Sequence, residues 1–197
     1  MLSTLRNAWR VPDIRKKLIF TVLMLLVVRL GAAIPVPFMN KDIISSIFNS
    51  SQGGILQFLD MMGGGTFSSY SIFAANIYPY ITASIIIQLL TIAIPKLEEL
   101  AKEGEEGKKK INRYTRYGAI VLAAVQASGY TFGLFRQALE TSNVMQTVIV
   151  ILSMVAGTAF LMWIGELISE KGIGNGISLL IFIGIISRLP SDIINWI

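Results

Sequence analysis

The sequence predicts an all-α, polytopic membrane protein with one membrane domain over residues 1–197, and three observations support that fold class. Only 15% of the residues are charged, against about 25% in ordinary soluble domains. The charges cluster in residues 6–17 and 96–116, and the run from Ser68 to Ile94 carries none. Apolar runs of about membrane length separate the charged clusters, which is typical of a chain that crosses a bilayer several times.

The N-terminal residues predict an interfacial segment followed by a first span. Residues 1–17 are amphipathic and basic, and Trp9 among them suits a helix that lies in the membrane interface. An apolar run over 18–36 then predicts the first transmembrane helix. Pro35 and Pro37 stop it, because proline lacks the backbone donor that a helix needs.

A half-length apolar stretch, "GGILQFLDMMGGG" at 53–65, precedes the second span. It is too short to cross a bilayer and carries Asp60, so we expect a half-helix that protein shelters, since exposed irregular backbone is not tolerated in lipid. The flanking glycines are expected to act as hinges. Asp60 is expected to face an aqueous funnel on the outer side.

The uncharged run over 69–94 predicts the second span, which Pro95 ends. Pro79 lies in its middle, so the carbonyl of Ala75 loses its usual donor and a kink or weak point is expected. The remaining predicted elements are a cytoplasmic loop at 96–116 and spans at 117–135, 144–168 and 176–188. Gly157 and Gly165 in the fourth span indicate close helix packing.

The distribution of basic residues predicts the orientation. Loops on the side of the N-terminus hold thirteen lysines and arginines, whereas the opposite side holds only Lys41, Arg136 and Arg188. Because cytoplasmic loops carry the excess of basic residues, the N-terminus is expected in the cytoplasm. The net charge of +5 is interpreted in the same way.

The residue inventory argues against catalysis. The chain has neither cysteine nor histidine, which removes thiolate chemistry and the commonest general base and metal ligand. Asp60 and Glu166 are separated carboxylates without such a partner. The glycines of residues 172–176 lack the strand and the Lys-Ser/Thr pair of a nucleotide loop. We therefore expect no enzyme, no catalytic residue, no metal and no cofactor.

Polar and aliphatic patterns in the spans leave two interpretations open. Thr82, Ser84 and Gln88 lie at membrane depth, where they either bond neighbouring helices or face a wet cavity or gate. Ile77 and Ile81 are four residues apart, and Ile177 and Ile181 repeat that spacing. Such stripes either face lipid or a partner helix, or form an aliphatic ring that closes a pore by dewetting.

The loop 96–116 contains seven basic and five acidic side chains. Its later basic residues are Lys108, Lys109, Lys110, Arg113 and Arg116. Such residues beside a membrane set topology, contact anionic lipid, or dock a large anionic partner such as ribosomal RNA. Physical reasoning from the residues does not choose among these roles.

Four motifs resemble the SecY family of bacterial protein-conducting channels. They are "VRLGAAIPVP" (28–37), "NIYPYITASIIIQLLT" (76–91), "EGEEGKKKINRYTRYG" (103–118) and "GIGNGISLLIFIGII" (172–186). Their order and spacing extend the resemblance over essentially the whole chain. It implies five helices that form one half of an inverted-repeat channel, with a short re-entrant plug helix at 55–67.

The resemblance also implies roles for particular residues. The pore ring is expected to include Ile77, Ile81, Ile177 and Ile181, and the lateral gate Pro79, Thr82, Ser84 and Gln88. Cytoplasmic partners are expected to contact Lys108, Lys109, Lys110, Arg113 and Arg116. The plug residues are Ile55, Leu56, Phe58, Leu59, Asp60, Met61, Met62, Gly63, Gly64 and Gly65.

As an expectation, the family implies a passive channel half in the bacterial plasma membrane that moves secretory polypeptides across the bilayer. Its implied partners are the SecE and SecG subunits, the SecA motor, the ribosome, signal sequences, nascent polypeptides and the lipid bilayer. The alternative is half of an inverted-repeat secondary transporter, because broken helices near the midplane are also a transporter feature. The lack of well-placed intramembrane carboxylates argues against that alternative.

Overall fold

The computed structural model describes residues 11–50, 54, 58, 60–61, 63–139 and 143–187. The helices are α1 (Pro12–Ala32), α2 (Lys41–Ser50), α3 (Tyr78–Ala93), α4 (Pro95–Lys102), α5 (Glu105–Gly129), α6 (Val144–Lys171) and α7 (Gly176–Ile186). A π-helical turn, Tyr130–Leu134, and a 3-10 turn, Arg136–Ala138, follow α5. The described part is thus helical, with isolated bridges from Pro35 to Ser71 and from Met39 to Leu139.

Helix α1 begins earlier and ends earlier than the predicted first span at 18–36. Pro12 occupies its first turn, where the missing proline N–H leaves no hydrogen bond unmade. The helix ends at Ala32, three residues before Pro35, because the residue before a proline is disfavoured in helical conformation. The charged first turns of α1 therefore continue the basic N-terminal segment.

The second span differs most from the sequence expectation. Helix α3 covers only the later part of 69–94, and residues 66–77, here called the central segment, consist of turns. Pro79 does not kink a helix as expected, because it lies in the first turn of α3, where its missing donor is harmless. Asn76 has a left-handed φ of 52° and its Oδ1 accepts a hydrogen bond from the N–H of Ile77 at 2.8 Å.

The predicted cytoplasmic loop at 96–116 is also helical. Helix α4 turns by 103° from α3 at Ile94, and a second turn at Gly104, with φ of 79°, starts α5. Helix α5 thus begins about three turns before the predicted third span at 117–135. The glutamates at 105 and 106 occupy its first turn, where the helix dipole favours negative charge.

Two helices in the described part are long and apolar enough to cross a membrane, and a third qualifies if α3 and α4 count as one bent span. The two are residues 105–134 and α6. Five spans were expected. Helix α1 combines an apolar body with basic first turns, and α7 has 11 residues.

Three apolar clusters hold the described helices together, and the smallest of them packs Ala83 of α3 against Ala119 of α5 and Met162 of α6. One lies between the central segment and the α5–α6 end, where the Phe135 ring lies 4.9 Å from Tyr70 and 5.6 Å from Phe67. The second joins α1, α3, α6 and α7, and its buried members are Val28, Phe73, Ile77, Leu161, Ile164, Ile168 and Leu180. The second cluster, here the isoleucine cluster, positions the candidate site.

Candidate pore, plug and gate

The four isoleucines expected in a pore ring meet in the isoleucine cluster. Ile77 is fully buried, at 0% exposure, whereas Ile81, Ile177 and Ile181 are half-buried at its edge. The spacing of four places Ile177 and Ile181 on one face of α7, whereas Ile77 precedes α3 and its carbonyl oxygen accepts the N–H of Ile81 at 3.1 Å. The structure therefore brings together side chains that are one hundred residues apart in sequence, and three of them keep part of their surface exposed.

Glycines bring α6 and α7 close enough to build this cluster. A Cβ on Gly165 would lie 3.2 Å from Cγ1 of Ile177, and one on Gly176 would overlap the carbonyl oxygen of Gly165. A Cβ on Gly157 would likewise overlap the carbonyl oxygen of Ile72 in the central segment. Close packing at Gly157 and Gly165 was predicted and is confirmed.

The turn into α7 is fixed by three side chains that sequence reasoning did not single out. Oδ1 of Asn175 accepts from the N–H groups of Ile177 at 3.0 Å and Ser178 at 3.3 Å. Oγ of Ser169 accepts from the N–H of Gly176 at 2.9 Å. Asn175 is the N-cap of α7, a signal that the sequence does carry, since asparagine is among the preferred caps.

The third side chain comes from α1. Oγ1 of Thr21 accepts from the N–H of Ile173 at 3.2 Å and donates to the carbonyl oxygen of Lys17 at 2.8 Å. Because this bond joins residues 152 positions apart, no local pattern indicates it. The turn that orients Ile177 is thereby tied to a helix of the other end of the chain.

The plug residue Asp60 is buried, at 2% exposure, and does not face an aqueous funnel as expected. Its Oδ1 accepts a hydrogen bond from the N–H of Ser68 at 2.7 Å, and its backbone carbonyl accepts from the N–H of Gly65 at 2.9 Å. A buried carboxylate is costly unless it is bonded, and the Ser68 N–H supplies a hydrogen bond to this one. Asp60 thus fastens the plug to the central segment.

The glycine turn of the plug, residues 63–65, rests against α7. Gly64 has φ of 67°, and a Cβ there would lie 2.7 Å from the carbonyl oxygen and 3.1 Å from Cα of Gly184. The glycines were expected to act as hinges. The structure gives another reason for a glycine at position 64, because the left-handed backbone and the contact with α7 both exclude a side chain there.

The other plug residues divide between exposed positions and positions outside the described part. Phe58 and Met61 are exposed, Gly63 is buried and Gly65 is half-buried. Ile55, Leu56, Leu59 and Met62 lie outside the described residues. The described plug residues are therefore anchored at the C-terminal end of the segment, through Asp60 and Gly64.

The candidate gate residues lie along α3. Its inner face carries Pro79 and Ala83, and Ala83 packs with Ala119 of α5. Thr82 and Gln88 are exposed, and Nε2 of Gln88 donates to Oγ of Ser84 at 3.4 Å within the same helix. This hydrogen bond lies within α3, and the gate role of these residues stays a prediction.

The five candidate cytoplasmic contacts lie on the first half of α5, and two of them are held by glutamates. Arg116 makes a bidentate pair with Glu166 of α6, with Nε–Oε1 and Nη2–Oε2 distances of 2.6 Å. Nζ of Lys110 lies 3.5 Å from Oε2 of Glu103. The ion pairs among the described residues do not include the other three, which are Lys108, Lys109 and Arg113.

This arrangement defines the class of protein: a helical membrane protein in which an aliphatic cluster joins α1, α6 and α7, a glycine turn packs on α7 and α3 keeps an exposed face. Solved structures support that class. The chain matches Sec61 in a canine ribosome-channel complex from the endoplasmic reticulum and a structure titled as a protein-conducting channel. Both have a TM-score of 0.62 and 21% identity, over 88% of this chain and 36% of theirs.

Sequence comparison then shows the family. The SecY family model matches residues 71–197. The protein translocase subunit SecY of Bacillus subtilis is 48% identical over 98% of this chain, that of Pseudomonas aeruginosa is 48% identical over 98%, and that of Thermotoga maritima is 46% identical over 98%. The chain belongs to the SecY family, and the family predicted from the motifs is confirmed.

The match covers part of the relatives. This chain spans 45% of the B. subtilis protein, 43% of the P. aeruginosa protein and 47% of the T. maritima protein, which is about half their length. The residues match SecY over nearly their whole extent, and the chain is a membrane protein of this family.

Proposed function

We propose that this chain forms the N-terminal half of the channel subunit of a bacterial Sec translocase, which passes unfolded secretory polypeptides across the plasma membrane. The observation that carries the proposal is the convergence of Ile77, Ile81, Ile177 and Ile181 in one apolar cluster, with the plug turn docked on the same helix α7. The translocase subunits named above provide independent support.

The mechanism is steric and needs no catalytic residue. Half-buried aliphatic side chains at a constriction disfavour water and ions, yet they change rotamer around a passing polypeptide. In this proposal Ile81, Ile177 and Ile181 line the constriction and the buried Ile77 supports them from behind. The plug covers the constriction at rest, and energy for transport comes from a partner.

The exposed face of α3 serves as one side of a lateral gate. Apolar side chains such as Ile85 and Leu89 are exposed beside the polar Thr82 and Gln88. An apolar signal sequence or membrane segment fits such a face, because it exchanges lipid contact for protein contact with few polar groups left unpaired. Pro79 fixes where this gate helix begins.

The cytoplasmic half of α5 supplies a docking surface for an anionic partner. Lys108, Lys109 and Arg113 are exposed and available for ribosomal RNA or for acidic surfaces of the SecA motor. Lys110 and Arg116 add positive charge to this surface at fixed positions, because Glu103 at the end of α4 and Glu166 of α6 hold them. The charge distribution supports a cytoplasmic N-terminus, and SecE and SecG complete the membrane complex.

A reconstitution experiment tests the proposal. The chain, the second half of the channel and their membrane partners are placed in proteoliposomes, supplied with motor, ATP and a secretory polypeptide, and scored for protease-protected polypeptide. Protection that requires the chain supports the channel function. Saturable uptake of a small solute without polypeptide protection would instead support a transporter and contradict the proposal.

A further inference from the structure

A cleft of about 440 Å³ opens between the end of α5 and the start of α6, away from the isoleucine cluster. Its apolar lining consists of Phe132, Leu139, Val144, Val148 and Ile151, and Thr147 and Arg136 are its polar members. This volume lies in the range of small-molecule sites, about 300–1,000 Å³. The cleft therefore has room for part of a lipid.

Buried neighbouring residues hold the backbone around the cleft in place, so the cleft is a fixed part of the fold. Phe135 and Ala138 are fully buried, and Leu139 forms a bridge with Met39. Arg136 lies between the two buried residues and its side chain is exposed. The π-helical turn before it widens the end of α5, a feature that is frequent at functional sites.

The cleft lies at the ends of two apolar helices, where the boundary between water and hydrocarbon is expected. Arg136 follows the apolar helix 105–134 by two residues, and α6 begins at Val144. Val148 and Ile151 lie about one and two turns further into the span. The cleft thus combines a cation at its rim with an apolar floor below, which is the order of groups in a phospholipid.

We propose that this cleft binds an anionic phospholipid, with the phosphate on the Arg136 guanidinium and an acyl chain along Phe132, Val148 and Ile151. A guanidinium accepts phosphate in bidentate geometry, and the ion pairs among the described residues do not include Arg136. An apolar partner helix would leave this charge uncompensated, and a free phosphate would leave the apolar floor uncovered. Basic residues are scarce on the side opposite the N-terminus, where Arg136 is expected. Arg136 is therefore not explained as one of the basic residues that set the orientation of the chain in the membrane.

Native mass spectrometry of the full chain in detergent tests the proposal with phosphatidylglycerol and phosphatidylcholine of identical acyl chains. The wild type is expected to bind phosphatidylglycerol more tightly, and Arg136→Gln to weaken that binding about tenfold. Lys41→Gln is the matched control, because Lys41 is an exposed cation on the same side that does not line the cleft. It is expected to leave the affinity unchanged.

A second variant tests the apolar floor. Val148→Trp fills the cleft and is expected to lower the affinity for both lipids, while a melting temperature near that of the wild type shows that the protein still folds. Equal affinity of the wild type for both lipids would overturn the proposal. Equal weakening by Arg136→Gln and Lys41→Gln would overturn it as well, since the effect would then be one of general charge.

Discussion

Replacement of Gly64 by alanine tests how the plug is seated. The left-handed φ of 67° costs an alanine about 1–2 kcal/mol. The new Cβ would also lie 2.7 Å from the carbonyl oxygen of Gly184, a backbone atom of α7 that cannot move by a side-chain rotation. The glycine turn must therefore shift away from α7, and in the proposed channel the plug loses this contact.

Gly174→Ala separates the two contributions. Gly174 has a similar φ of 74°, but a Cβ there would meet nothing within 4 Å. Both variants carry the backbone cost, and only Gly64→Ala carries the clash with α7. A loss of about 1.4 kcal/mol in the seating of the plug corresponds to a tenfold change in the closed-to-open ratio.

Single-channel recording of the complete channel, with this chain joined by its proposed second half, in planar bilayers and without a translocating polypeptide measures that ratio. Gly64→Ala is expected to raise the resting open probability about tenfold or more, and Gly174→Ala is expected to match the wild type. The reasoning is refuted if Gly64→Ala stays as tightly closed as the wild type. It is also refuted if both variants leak equally, because strain alone would then explain the effect.

Two hydrogen-bonded contacts give further predictions. Asp60→Ala leaves the N–H of Ser68 without its acceptor and is expected to lower stability in detergent by about 1–3 kcal/mol, whereas Asp60→Asn keeps an acceptor and loses less; equal losses in thermal unfolding would contradict this. For Arg116 and Glu166, whose side chains are 48% and 18% exposed, a double-mutant cycle with glutamine at each position is expected to give a coupling energy of about 1 kcal/mol. A coupling energy near zero would show that the pair does not stabilise the α5–α6 contact.

The sequence predicted helices where α6 and α7 lie, but it did not predict that the first part of the second apolar run is not helical. Residues 66–77 are uncharged and apolar enough for a span, yet they are turns whose backbone groups find tertiary partners. The N–H of Ile72 donates to the carbonyl oxygen of Ile34 at 3.0 Å, and the N–H of Val36 donates to that of Tyr70 at 2.9 Å. An apolar run indicates that its backbone N–H and C=O groups must be hydrogen-bonded within the protein. The fold determines which groups are their partners.

The charged residues also show that the sequence predicts their location but not their partners. Counting basic residues locates the charged end of α5, but the partner of Arg116 is fifty residues away on α6. Likewise, the composition of the plug indicates a sheltered half-helix, while the burial of Asp60 depends on the position of the Ser68 N–H. The spacing of the isoleucines was informative because a helix converts it into a face.

The central claim is that Ile81 and Ile181 line the path of a translocating polypeptide. Because the chain contains no cysteine, single cysteines at these positions report without background, and Val125→Cys on an exposed part of α5 is the control. The chain is reconstituted with the second half of the channel and its partners, a secretory polypeptide is stalled in transit, and disulfide or bifunctional cross-links to it are scored. The account predicts cross-links from residues 81 and 181 and none from 125, whereas no cross-link from either of the two, or equal cross-linking at all three, would contradict it.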